Sequence, residues 1–191
     1  CRTGAMQAPA WKFKSGELTD MTAFLRHQSR GMPVNVQTDG PMTPWFNKGK
    51  EIYYTRYGQL DLACASCHEK NNGKFMRADF LSQGQTNGFP TYRLRDQRLI
   101  PLHERFQGCI NDVRGIPFEP QSDEFTALEL YVAWRGIGLP VETQPAVHEG
   151  EVGAAVDAQR VAAPDHEVRV LARRERAHPA VDAELAGGID G

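Results

Sequence analysis

Three stretches of the chain carry apolar residues at helical spacing, and they frame a middle region that carries none. In residues 15–30, Leu18, Met21, Leu25 and Gln28 form one stripe with Phe24 beside it, and Gly31 stands where a helix would stop. A second helix is predicted from Thr43, read as its N-cap, with Pro44 at the first helical position. Phe46, Gly49, Tyr53 and Tyr57 fall on one face of it. Glycine weakens a helix, so Gly49 within that face predicts close approach of another helix. The third helix follows Ser122, a second N-cap, with Asp123 and Glu124 favourable to the dipole. Phe125, Leu128 and Val132 face one way, Tyr131 and Trp134 widen the stripe, and Gly136 and Gly138 end it.

Between these helices the pattern breaks. Residues 32–43 hold Pro33, Asp39-Gly40 and Pro41 without periodicity, an extended linker. Residues 71–90 are rich in turn formers, a loop suited to wrapping a flat ligand. From Pro145 onward the last 47 residues lack Phe, Tyr, Trp, Lys and Cys, leaving little large apolar surface to bury. That segment reads as a poorly ordered extension of unrelated origin, such as read-through in another frame, with at most a loose helix over residues 167–176. The 191 residues as a whole are 40% hydrophobic and 9% aromatic, as in a globular protein, with no apolar run near the ~20 residues of a membrane span. A formal charge of −2 argues against a nucleic-acid partner.

The chemistry is concentrated after the second helix. Cys64-Ala-Ser-Cys67-His68 has the spacing of a covalent haem attachment site. Two residues between the thiols let one helical turn present both to one porphyrin edge, and the histidine that follows reaches the iron. With 4 Cys and 6 His in the chain, accident would give only about 0.003 such matches. A zinc half-site would want a second Cys/His pair at short spacing, which neither Cys1 nor Cys109 has. A thioredoxin-like dithiol would want a βαβ setting and no histidine. Haem c is attached outside the bacterial cytoplasm, so the expected location is periplasmic. Cys1 is followed at once by polar residues rather than by a signal peptide, which leads to the expectation that the natural N-terminus is missing.

An iron held by His68 on one side needs an account of the other. Met76, His103 and Cys109 are the candidates. Met76, eight residues after His68, is close for a crossing to the opposite face; His103 is acceptable on chemistry alone. Arg105 lies four residues before Cys109, so a helix there would set a permanent cation beside a sulfur and favour thiolate. The alternatives for Cys109 are an inert buried thiol or a disulfide with Cys1. Lys74, Arg77, Arg93 and Arg95 are candidates to pair with haem propionates, against a plain reading as solvated charges. His27 reads as a packing histidine.

Four motifs together resemble the SoxA family, the catalytic cytochrome subunit of the SoxAX complex. They are Tyr53-Tyr-x-Arg-x-Gly58-Gln-Leu running into Cys64-Ala-x-Cys67-His68; Ser82-Gln-Gly-x-x-Asn87-Gly-Phe-Pro-x-Tyr92-Arg; Leu102-His-x-Arg105-Phe-x-x-Cys109; and Ser122-Asp-Glu-Phe-Thr-Ala-Leu-Glu-Leu-Tyr131. The resemblance covers about residues 1–145. It implies haem c attached through Cys64 and Cys67, with His68 and Cys109 as axial iron ligands. It further implies that Cys109 carries a persulfide and Arg105 helps bind substrate. The implied reaction is L-cysteine S-thiosulfotransfer: thiosulfate is joined to a cysteine of the SoxYZ carrier, with electrons passing through the SoxX subunit to cytochrome c. Cys1 matches a cysteine late in the family's N-terminal cytochrome-like domain, a haem ligand in diheme members and disulfide-bonded in single-haem ones. The expected architecture is therefore mainly α. Residues 1–31 would be the remnant of a first cytochrome-like domain, 32–43 a linker, 44–144 a class I cytochrome c domain, and 145–191 a tail outside the family. The competing functional reading is a simple electron-transfer cytochrome with no substrate site, for which the Arg105/Cys109 pair has no use.

Overall fold

Gly49 is where two helices meet. The computed structural model describes residues 2–13, 16–76 and 79–143, all within one compact unit, Cys1–Ala146. Helix α1 spans Gly16–Gln28, α2 Thr43–Tyr54 and α3 Cys64–His68. Two short antiparallel hairpins follow, β1 (Phe75–Met76) with β2 (Asp79–Phe80), and β3 (Thr91–Arg93) with β4 (Arg98–Ile100). Helices α4 (Leu102–Asp112) and α5 (Asp123–Arg135) complete the chain of elements. A Cβ on Gly49 of α2 would lie 2.0 Å from the Ala127 carbonyl oxygen and 2.9 Å from Tyr131 Cβ, both on α5. The two backbones touch there, and only glycine permits it.

Around that crossing the core is built from both helices. Ile52, Tyr53, Phe125, Leu128, Tyr131 and Val132 are buried, each apolar side chain worth ~1.5–3 kcal/mol of transfer free energy. Phe46 packs on Tyr131 and Trp134 with ring centroids 5.5 and 5.1 Å apart. Ser122 caps α5 by accepting from Phe125 N–H at 3.3 Å, as its sequence position predicts. At the start of α2 the reading needs correcting: a 3₁₀ turn, Gly40–Met42, leads into the helix, Met42 holds the cap position, and Thr43 is already helical. The Thr43 hydroxyl donates back to Thr38 O instead of accepting from the first turn.

Helix α1 forms where expected but turns the other way. Thr19 and Ala23 are its buried residues, while Met21, Phe24 and Leu25 are exposed. Arg26 fixes this orientation by donating from Nε to Phe89 O (3.1 Å) and from Nη2 to Asn87 O (3.1 Å). The linker that follows is extended and tied down, with residues 31–34 exchanging backbone hydrogen bonds with 138–141 around the Pro33–Pro140 bridge. The mainly α expectation holds for the described residues, with the addition of the two hairpins, each too short to show alternation in the sequence. No described helix is long and apolar enough to cross a membrane. Cys1 and Arg77, and residues 144–191, lie outside the described residues.

A candidate haem site

The five residues of α3 form little more than one helical turn, with Ser66 Oγ accepting from Ala63 N–H at 3.1 Å at its start. Cys64 and Cys67, three apart, share one face of it, and His68 follows. All three line a cavity holding about 900 Å³ of empty space, its open mouth included. Ile52 and Tyr53 close it from α2, Tyr57 from the segment just after that helix, Leu128 and Val132 from α5, and Phe106 and Ile110 from α4. The loop after the motif contributes Met76, Leu81 and Gly84, as expected of a segment that wraps a flat ligand.

The residues present fit a covalently held haem. His68 Nδ1 lies 2.8 Å from the Ser82 carbonyl, which can only accept, so Nδ1 carries the proton and Nε2 keeps its lone pair. Burial pulls the His68 pKa down against the opposing effect of that hydrogen bond, and Arg135 and Arg105 push the same way as burial. The ring is thus held neutral, the form that binds a metal. Gly84 is the cradle: a Cβ there would sit 2.8 Å from His68 Cγ, and its φ of +71° also favours glycine. The Tyr53 hydroxyl, in the cavity wall, is buried without a hydrogen-bond partner. Cys64 and Cys67 are both free thiols.

Helix α4 brings Arg105 and Cys109 to the same cavity, on one face at the predicted four-residue spacing. The thiols converge closely enough to influence one another: Cys64 feels Cys109 and Cys67, and Cys109 feels Cys67. Arg105 lowers the Cys109 pKa, as expected of a cation beside a sulfur, but it is not the largest influence on that thiol. Burial drives the Cys109 pKa up, and the opposing pull of Arg105, weaker than burial, does not reverse it. Burial likewise pushes the Cys64 thiol up to about 12. Metal coordination, which requires the thiolate, would supply what Arg105 does not. The Arg105 guanidinium itself makes no ion pair and no hydrogen bond with any described residue. It is a half-buried cation in a cavity wall, open to an anion.

The other candidates separate. His103, buried at 8% exposure, is used up elsewhere: Nδ1 accepts from Gln121 N–H at 3.0 Å, so Nε2 donates to Glu129 at 2.9 Å, and the ring does not line the cavity. Met76 does line it, a second sulfur alongside Cys109. Of the basic residues, Lys74 donates to Asn71 and Arg95 is exposed beside Asp96, so neither lines the cavity. Arg93 pairs with Asp96 at 3.7 Å and its charge reaches Cys109. His27 stays on α1, away from the cavity, with its Nδ1 buried and unpartnered. Sequence reading missed Gly84 and Arg135. The signal for Arg135 was its place at the end of the buried 125, 128, 132 stripe.

Crossed helices over an apolar cavity, with an attachment motif whose histidine is fixed in the ligating tautomer, define a c-type cytochrome domain. The SoxA/TsdA cytochrome c domain family matches over residues 1–34 and 48–141, and the chain belongs to that family. It is similar to the L-cysteine S-thiosulfotransferase subunit SoxA of Rhodovulum sulfidophilum, with 59% identity over 142 residues, 74% of this chain and 50% of the relative. The corresponding subunit of Paracoccus pantotrophus is 55% identical over 142 residues, 74% of this chain and 49% of the relative. The crystal structure of SoxXA from P. pantotrophus superposes with a TM-score of 0.74 at 53% identity, covering 78% of this chain and 56% of that one. The chain spans about half the length of the curated relatives it matches.

Proposed function

We propose that this chain carries the sulfur-transfer centre of a thiosulfate-oxidising L-cysteine S-thiosulfotransferase of the SoxAX type, acting in the periplasm beside a SoxX subunit. The observation that supports this most is the unpaired Arg105 guanidinium next to Cys109 in one cavity wall with the attachment motif. A carrier of electrons alone has no need of an open cation beside a thiol.

In this reading Cys64 and Cys67 would hold the haem covalently, and His68 and Cys109 would be the residues that bind its iron. One haem belongs to this chain, and the full-length count depends on whether a first domain binds another. When bound, the haem supplies one-electron redox chemistry. The protein does the rest. Arg105 holds the thiosulfate dianion by charge-assisted hydrogen bonds, with Arg93 adding positive potential from the neighbouring hairpin. The Cys109 sulfur, present as a persulfide, receives and orients the outer sulfur. The apolar walls exclude water, which strengthens the contact with Arg105. The net change joins that outer sulfur to the carrier cysteine of SoxYZ. An S–S bond forms, the thiol proton leaves, and two electrons pass on to cytochrome c. Residues 44–144 form the haem domain, 1–31 derive from a preceding cytochrome-like domain joined by the 32–43 linker, and 145–191 stand outside the family. Cys1 belongs to the earlier domain as haem ligand or disulfide partner.

Cys109→Met tests the ligand assignment. It should convert a thiolate-type absorption spectrum into a His/Met type and abolish thiosulfate-dependent cytochrome reduction, since methionine cannot carry a persulfide. An unchanged spectrum and turnover would make Cys109 structural and leave Met76 as the sulfur to examine.

A further inference from the structure

We propose that Arg135 is a positioning residue for His68, clamping from α5 the two segments that set the orientation of the imidazole. The inference rests on the haem reading above but not on the identity of the distal ligand. Arg135 continues the buried stripe of Phe125, Leu128 and Val132 with a guanidinium where an apolar side chain would fit the pattern, and the residue is only 3% exposed. Its Nη1 pairs with the Glu69 carboxylate, and Glu69 directly follows His68 in sequence. Its Nη2 donates to Gln83 O at 3.5 Å. Gln83 in turn stands between Ser82, whose carbonyl fixes the His68 proton, and Gly84, against which the His68 ring lies. The guanidinium lies over the Tyr53 ring, with Cζ 4.3 Å from the ring centroid.

A single side chain thus joins the segment that carries His68 to the loop against which its ring lies, through carboxylate and backbone contacts one residue removed. Taking a guanidinium out of water is costly, and a buried ion pair is weak evidence of stabilisation by itself. A fork that joins two separate acceptors is suited to fixing geometry, the work commonly done by the outer shell of a metal ligand. The buried positive charge has a second consequence. A cation near an iron centre favours the reduced state, and the Glu69 carboxylate opposes it, so removing one or the other moves the reduction potential in opposite directions.

The test uses the exported, haem-loaded full chain and its Arg135→Met, Arg135→Lys and Glu69→Gln variants. Haem retention is read by staining, the ferric site by electron paramagnetic resonance, and the midpoint potential by redox titration. Arg135→Met should keep its haem but split the ferric signal into more than one species and lower the potential. Glu69→Gln should raise the potential. Arg135→Lys should bring the potential back to wild type without restoring a single ferric species, because lysine carries the charge but not the fork. A wild-type signal and potential in Arg135→Met, or shifts of the same sign in Arg135→Met and Glu69→Gln, would overturn the proposal. Should Arg135→Met fail to load haem, Glu69→Gln decides alone: a raised potential supports the clamp, and an unchanged or lowered one refutes it. A wild-type chain without covalent haem would refute the haem reading and the clamp together. An unchanged Cys109→Met spectrum would refute only the distal assignment.

Discussion

His103 and Cys109 share helix α4 and were both eligible iron ligands by chemistry, yet their surroundings give them different work. The imidazole has both nitrogens engaged, by Gln121 and Glu129, and packs among Phe106 and Phe125 at centroid distances of 6.0 and 5.5 Å. His103→Leu should therefore cost ~1–3 kcal/mol in a denaturant melt, since it strips the Gln121 N–H of its buried acceptor. The visible spectrum of the bound haem should not change, and loss of its low-spin bands would mean that His103 is a ligand after all. Cys109 has no such partners and faces the cavity. The sequence could place Arg105 and Cys109 on one face because that follows from helical spacing. It could not weigh burial against the cation, because burial depends on walls supplied by α2, α3 and α5.

At the scale of elements the crossing of α2 and α5 was readable in advance from Gly49, whose presence within an otherwise aromatic face has no other use. Gly49→Ala puts two effects in opposition. Alanine improves helix propensity by about 1 kcal/mol, but its Cβ would sit 2.0 Å from a backbone oxygen that cannot move without shifting α5. Overpacking of this kind costs ~1–3 kcal/mol and more when backbone must shift, so the variant should melt at a lower temperature than wild type. A higher melting temperature would show that the helices are not in contact there. The face buried by α1 was not readable. Its apolar stripe points outward because Arg26, a residue no hydrophobic pattern would select, anchors the opposite side to carbonyls some sixty residues away. The hairpins escaped for a simpler reason: two or three residues per strand carry no period.

At the scale of the whole molecule, the cavity is assembled from five parts of the chain: α2, the attachment motif, the loop through Gly84, α4 and α5. The haem-binding side was legible because Cys64, Cys67 and His68 fall within five consecutive residues. The outer support of His68 was not, since Arg135, Gln83 and Glu69 meet only after α5 has docked on α2. The proposed substrate side depends on one cation, Arg105, left by that assembly without an ion pair among the described residues. The most direct measurement is thiosulfate-dependent electron flow through the assembled complex carrying Arg105→Ala, recorded together with its haem spectrum. Loss of one charge-assisted contact to a dianion, worth ~1.5–3 kcal/mol, should lower the rate roughly 10- to 100-fold while the spectrum stays that of the wild type. Wild-type turnover in that variant would contradict the assignment of Arg105 to substrate and, with it, the reading of this cavity as a sulfur-transfer site.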